Sequence, residues 1–134
     1  MTLRYAKKSD LKLLSTFENH IHIEELKLSI QRRQVIVAFL GTDLQAWLRY
    51  GLFWDSIPFL NMLFVLPQYR QQQLGSKLLH FWEEEMRRAN YHLLLTSSQS
   101  DETAQHFYRK NAYRDAGCLL LKSQAPELFF TKEL

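Results

Sequence analysis

One cysteine in 134 residues, Cys118, rules out an intramolecular disulfide, and its apolar neighbours Leu119 to Leu121 mark it as a buried thiol rather than a nucleophile. No stretch approaches the roughly 18 apolar residues of a membrane-crossing helix. The opening residues MTLRYAKKSD hold no apolar core of the signal-peptide kind. The four glycines and three prolines nowhere gather into a linker, and the chain has no repeat and no low-complexity tract. The charge excess is small. With 17 basic and 14 acidic residues the net charge is +3, and no basic stripe is interleaved with exposed aromatics, which sets aside a nucleic-acid binder. What remains is one domain over residues 1–134, expected in the cytoplasm with neither membrane nor nucleic acid as partner.

Hydrophobic residues at 46% and charged residues at 23% are globular proportions, enough for one core. Residues 2–6 read as a first strand. Ser9 or Asp10 caps a helix whose apolar face is Leu11, Leu14, Phe17 and Ile21, and a second short helix carries Ile23, Leu26 and Ile30. Val35 to Leu40 is a β-branched and aromatic run closed by the turn Gly41-Thr42-Asp43, with further strands at 46–54 and 59–66 joined through Asp55-Ser56. From Leu74 a helix places Leu78, Leu79, Trp82 and Met86 on one side, with Glu83 to Glu85 and Arg87-Arg88 expected on a solvated face. A strand at 92–96, a helix at 102–111 and closing strands at 118–122 and 128–131 follow. Meander strands first and β-α-β-α-β afterwards imply a mixed α/β sheet.

The most informative stretch is Asn61 to Leu79, NMLFVLPQYRQQQLGSKLL. Its apolar run stops at Pro67, passes a short polar loop and restarts as a helix at Leu74. Strand, tight loop and helix aim backbone N–H groups and a helix N-terminus at an anion. Arg70 stands at the loop entrance and Gly75 where the helix begins, so the segment is a candidate phosphate cradle.

Arg70-Gln71-Gln72-Gln73-Leu74-Gly75 resembles the acetyl-CoA motif of the GNAT superfamily of N-acetyltransferases: Arg or Gln, two residues, Gly, one residue, then Gly or Ala. Asp101-Glu102-Thr103-Ala104-Gln105-His106-Phe107-Tyr108-Arg109-Lys110-Asn111-Ala112-Tyr113 is similar to its second motif, an Asn and an aromatic-Tyr pair before a Lys-x-Gly-Phe-like turn. The resemblance implies a mixed, mostly antiparallel central sheet of about six to seven strands flanked by about four helices. It further implies acetyl-CoA as donor, a primary amine of a small molecule or peptide as acceptor, and no metal. Backbone groups of Leu63, Phe64 and Val65 would run beside the pantetheine arm. Arg70 and the segment Gln71, Gln72, Gln73, Leu74, Gly75 and Ser76 would hold the pyrophosphate, and Asp101 would stand at the second motif's Asn. A homodimer is left open. Gln73 and Ala112 replace glycines, and Asp101, when ionised, cannot donate as Asn would.

The resemblance makes Tyr108 the general acid. A phenol titrating near 10 is protonated at neutrality, and a leaving thiolate of about 8.5 can receive its proton. The other reading of Tyr108 is a core aromatic paired with Phe107. No base is evident: Asn61 and Thr96 stand where relatives often carry a carboxylate, and neither can act as one. A lysine-like amine near 10.4 costs roughly 4 to 5 kcal/mol to neutralise at pH 7. The expected substitutes are His20, His22, Glu24, Glu25 and Asp55, from segments that flank the acceptor cleft in this fold. His20-Ile21-His22-Ile23-Glu24 hints at a metal, but helical positions two apart diverge, so none is expected. Phe53, Trp47 and Trp54 either line an apolar pocket or pack in the core. The missing base and altered loop leave an alternative, a CoA-binding module without turnover that serves as sensor or partner subunit.

Overall fold

The computed structural model describes residues 1–134. Eleven helices and strands follow one another: β1 (Thr2–Tyr5), α1 (Leu11–Phe17), α2 (Ile23–Gln31), β2 (Val35–Leu40), β3 (Asp43–Phe53), β4 (Ile57–Val65), α3 (Leu74–Arg88), β5 (Leu93–Gln99), α4 (Ala104–Lys110), β6 (Arg114–Leu119) and β7 (Glu127–Glu133). Short 3-10 turns at Lys8–Asp10 and Pro67–Tyr69 lead into α1 and toward α3. The strands form a seven-stranded sheet in the order β1-β2-β3-β4-β5-β7-β6. It is mixed and mostly antiparallel, as expected: β4 runs parallel to β5, with Phe59 opposite Leu95 and Leu60 opposite Thr96.

The chain divides into two compact units. The first holds Met1–Gly51 and Met62–Trp82. Here β2 alternates faces, so Val35, Val37 and Phe39 join Trp47 of β3 and Leu14, Leu26 and Ile30 of the first two helices in one cluster. The Arg4 guanidinium and the Lys7 N–H both donate to Asp10, at 2.8 and 2.7 Å. Asp10 therefore closes the 3-10 turn ahead of α1 instead of capping α1 itself. Leu78, Leu79 and Trp82 of α3 are fully buried.

The second unit holds Leu52–Asn61 and Glu83–Leu134. Its frame is the antiparallel β5–β7 pair, seven residues long, from Leu93 opposite Glu133 to Gln99 opposite Glu127. Phe130 of β7 is fully buried. The exposed strand β6 pairs with β7 through a bulge between Asp115 and Gly117, which bends and twists an otherwise open edge.

Three expectations need correction. Cys118 is exposed rather than buried, because it lies on β6, whose residues are all solvent-facing. That strand begins at Arg114, well before the expected 118–122. Glu83 is buried, not solvated: it follows Leu79 by four and precedes Met86 by three, which puts it on the apolar stripe of α3. The Tyr113 hydroxyl donates to its Oε2 at 2.8 Å, and Lys132 Nζ donates to both carboxylate oxygens at 3.1 Å.

Ala112, where the motif has glycine, holds φ +72° in the turn after α4. This left-handed backbone costs a residue with a Cβ about 1 kcal/mol or more. Ala112→Gly is expected to raise unfolding free energy by about 1 kcal/mol and the melting temperature by about 3 to 5 °C. A fall in melting temperature would contradict that assignment of strain.

Candidate functional site

The cradle lies wholly in the first unit. The apolar run of β4 ends at Val65, and Pro67 opens the 3-10 turn with the fixed φ suited to a first helical position. Leu66, buried, donates its N–H to the Gln45 carbonyl at 2.9 Å. Arg70 then folds back. Its Nε donates to the Val65 carbonyl at 2.9 Å and its guanidinium lies 5.2 Å over the Phe64 ring.

Gln71 and Gln73 hold φ +63° and +59°, while Gln72 between them does not enter the left-handed region. Alternating hands turns successive N–H groups toward one side, the concavity called a nest, which suits an anion. The sequence raised the question of how the loop turns without glycine at Gln73. The structure answers that the glutamine itself takes the left-handed conformation. Leu74, buried, anchors the first turn of α3, and the first helical bond joins the Lys77 N–H to the Gln73 carbonyl at 3.1 Å. The N–H groups of Leu74, Gly75 and Ser76 precede that ladder and have no partner within it. Fifteen residues of α3 add a dipole whose positive end is here.

One further chain of contacts runs through this unit. Phe64 of β4 stacks on Trp47 of β3, centroids 5.1 Å apart. Trp47 Nε1 donates to Glu18 Oε2 at 3.0 Å, and Arg49 Nε lies 3.5 Å from the same oxygen. The other oxygen, Oε1, receives the His20 backbone N–H at 3.3 Å and faces His20 Nδ1 at 3.5 Å. The side chain of Glu18 is 1% exposed. It escaped the sequence reading, although a signal was present: it follows Leu14 by four, a carboxylate on the apolar stripe of the first helix. Trp47 belongs to the core.

Tyr108 and Asp101 lie in the second unit. Tyr108 is buried on α4, its ring 5.7 Å from that of Tyr113 and 6.0 Å from that of Phe130. Burial raises its pKa, a hydrogen bond with the Thr96 hydroxyl draws it partway down, and the Glu102 carboxylate adds a smaller upward push. Thr96, fully buried, also donates to the Leu60 carbonyl at 3.2 Å. Thr96 is thus no base but a fixed neighbour of the phenol, a role that depends on β5 register and had no sequence signal. Asp101 is exposed in the turn before α4. Phe53 and Trp54 do line an apolar cavity of about 430 Å³, with Leu93, Leu95, Leu119 and Phe129. Asn61, His22, Glu24, Glu25 and Asp55 are exposed. No group of three or more His, Cys, Asp or Glu side chains is arranged to hold a metal ion.

A mixed sheet whose fourth strand runs through a nest into a helix N-terminus is an α/β fold with a built anion cradle. The family model for the GNAT acetyltransferase domain matches residues 31–115, and the chain belongs to that family. No curated protein matches it in sequence. Among solved structures it resembles the ribosomal-protein-alanine N-acetyltransferase of Brucella melitensis, with TM-score 0.84, 20% identity and all of both chains covered. YncA from Salmonella typhimurium, solved with its cofactor acetyl-CoA, gives 0.83 and 17%, covering 99% of this chain and 93% of that one. The ribosomal-protein-S18-alanine N-acetyltransferase of Escherichia coli gives 0.81 and 14%, covering 98% and 92%.

The phenols set an alkaline limit on the fold. Burial pushes Tyr113 far above its ordinary value, and the adjacent Glu83 carboxylate pushes the same way; Tyr108 is raised as well. A raised folded-state pKa gives stability that is complete below the unfolded value of about 10 and is lost as pH climbs toward the folded one. Above about pH 10 each phenol is therefore expected to remove about 1.4 kcal/mol per pH unit from the unfolding free energy. Urea midpoints measured across that range should fall, and Tyr108→Phe should shallow the fall. A flat midpoint would show that these phenols ionise freely in the fold.

Proposed function

We propose that this protein transfers the acetyl group of acetyl-CoA to a primary amine by direct attack, as one catalytic domain, with Tyr108 returning a proton to the departing CoA thiolate. The observation that carries the reading is the nest at Gln71 and Gln73 leading into α3, a pyrophosphate site in form. In this reading backbone groups of Leu63, Phe64 and Val65 serve the pantetheine arm. Arg70, Gln71, Gln72, Gln73, Leu74, Gly75 and Ser76 serve the phosphates, and Asp101 borders the donor site. Arg70 Nε already takes one lone pair of the Val65 carbonyl, so the arm would share that oxygen or use other groups of the strand. The exposed, unpaired Cys118 thiol suits a reducing cytoplasmic setting.

The acceptor that fits best is the α-amine of a peptide. With Asn61 and Thr96 in place of a carboxylate, a lysine-like amine carries the 4 to 5 kcal/mol penalty, whereas an α-amine near 8 costs only about 1 kcal/mol to neutralise at pH 7. Two of the similar structures, from Brucella melitensis and Escherichia coli, are named for acetylating ribosomal-protein alanine.

Acetyl-CoA at about a hundred times its Kd is expected to stabilise the protein by about 2.7 kcal/mol, seen as a rise in melting temperature. No rise at millimolar concentration would remove both the enzyme and a silent CoA-binding module. Tyr108→Phe should lower kcat about 100-fold while keeping the acetyl-CoA shift; unchanged turnover would take the acid role from Tyr108.

Gln73→Gly relieves a left-handed Cβ and is expected to leave the acetyl-CoA shift intact or enlarged, while raising stability by about 1 kcal/mol. Loss of the shift would mean that the glutamine side chain itself grips the ligand.

A further inference from the structure

We infer that His20 is the base that takes the acceptor's proton and that Glu18 is its positioning residue, an inference that rests on the acetyl-transfer reading above. Of the five side chains that the sequence offered as bases, His20 alone lies beside a buried carboxylate. Its imidazole is 74% exposed, so one side meets solvent or substrate while Nδ1 faces Glu18 Oε1 at 3.5 Å. A carboxylate at Nδ1 favours the tautomer with the proton there, leaving the Nε2 lone pair outward.

Glu18 cannot itself reach a substrate. Oε2 is engaged by Trp47 at 3.0 Å with Arg49 at 3.5 Å, and Oε1 by the His20 backbone N–H. It is a fixed carboxylate whose Oε1 lies against the ring and sets its orientation. The charged groups facing the imidazole are Glu18, on its own segment, and Arg49, brought by β3 to the far oxygen of the same carboxylate. Trp47, bonded to Glu18, stacks on Phe64 of β4, so unbroken contacts join the pair to the strand read above as the pantetheine support.

The proton count is simple. His20 Nε2 takes one proton from the acceptor ammonium and later releases it to water. The neutral amine nitrogen forms a bond to the acetyl carbon, the carbon–sulfur bond breaks with its electron pair going to sulfur, and the thiolate collects a proton from Tyr108. The nitrogen's remaining excess proton leaves as the amide forms and restores the phenol through solvent. Imidazole is matched to an α-ammonium near 8 and poorly matched to a lysine ammonium near 10.4, which agrees with the acceptor class chosen above.

The test measures CoA release from acetyl-CoA, from about pH 6 to 9.5, with whichever acceptor reacts faster, a short peptide with a free N-terminal alanine or a linear diamine. His20→Ala, at an exposed position, should lower kcat about 100-fold near neutrality, with the acetyl-CoA melting shift unchanged. Its rate should converge on wild type above the acceptor's own pKa, where no base is needed. Glu18→Gln, which keeps the volume, should give a smaller loss with the same recovery at high pH. Equal rates for His20→Ala and wild type at every pH would overturn the inference and leave the acetyltransferase intact. A loss that persists at high pH would overturn it in favour of a structural role. Failure of wild type with both acceptors would overturn the base assignment together with the α-amine reading, while a surviving acetyl-CoA shift would still support donor binding.

Discussion

Two left-handed glutamines shape the cradle between β4 and α3. A strand that ends in a helix must reverse its backbone within a few residues, and its free N–H groups must finish on one side. Glycine does this without strain; Gln71 and Gln73, at φ +63° and +59°, do it at about 1 to 2 kcal/mol each. The surroundings over-determine them. Leu66 and Leu74 are buried on either side of the loop, and Arg70 ties the loop back to the Val65 carbonyl. Strain held this way is usual where a backbone must meet a ligand. An arginine that clamps the loop with Nε still has two guanidinium nitrogens to turn toward a phosphate.

Two buried carboxylates organise the units in the same manner. Glu18 follows the last turn of α1 in the first unit, Glu83 sits on the apolar stripe of α3 in the second, and each finds donors for both oxygens. A buried carboxylate without partners would be costly, so each specifies the geometry of what surrounds it. Glu83 fixes Tyr113 and Lys132 and thereby the turn that ends at Ala112, since Lys132 also donates to the Asn111 carbonyl at 3.1 Å. Glu18 fixes Trp47 and, through it, the face of β4 that carries Phe64.

Most elements were legible because their pattern was strong: the continuous β-branched and aromatic run of β2, the stripe Leu78, Leu79, Trp82, Met86 in α3, and the two motifs that located the cradle and α4. The two exceptions share one cause. Glu83 has charged neighbours in sequence, but its helical phase sets it with Leu79 and Met86. Cys118 has apolar neighbours, Leu119 to Leu121, but β6 is an edge strand whose residues are all exposed. Composition of a local window outweighed phase and edge position. Of what surrounds Tyr108 only Phe107 was legible, its ring 5.4 Å away; Thr96 and Phe130 face each other only through the β5–β7 register.

The environment of Tyr108 also constrains how a proton could leave it. Burial raises a phenol that, even unperturbed at about 10, gives its proton to a thiolate of about 8.5 only uphill by about 2 kcal/mol. A stepwise transfer would face more than that. Transfer that accompanies cleavage of the carbon–sulfur bond avoids the full penalty, because the sulfur grows more basic as charge develops on it. The Thr96 hydroxyl, already engaged with the Leu60 carbonyl, can turn toward an oxygen that becomes negative and offset part of the cost. For the proposed reaction a weak, buried acid suits a leaving group of intermediate basicity. Such an acid would hold its proton until the bond to sulfur is breaking.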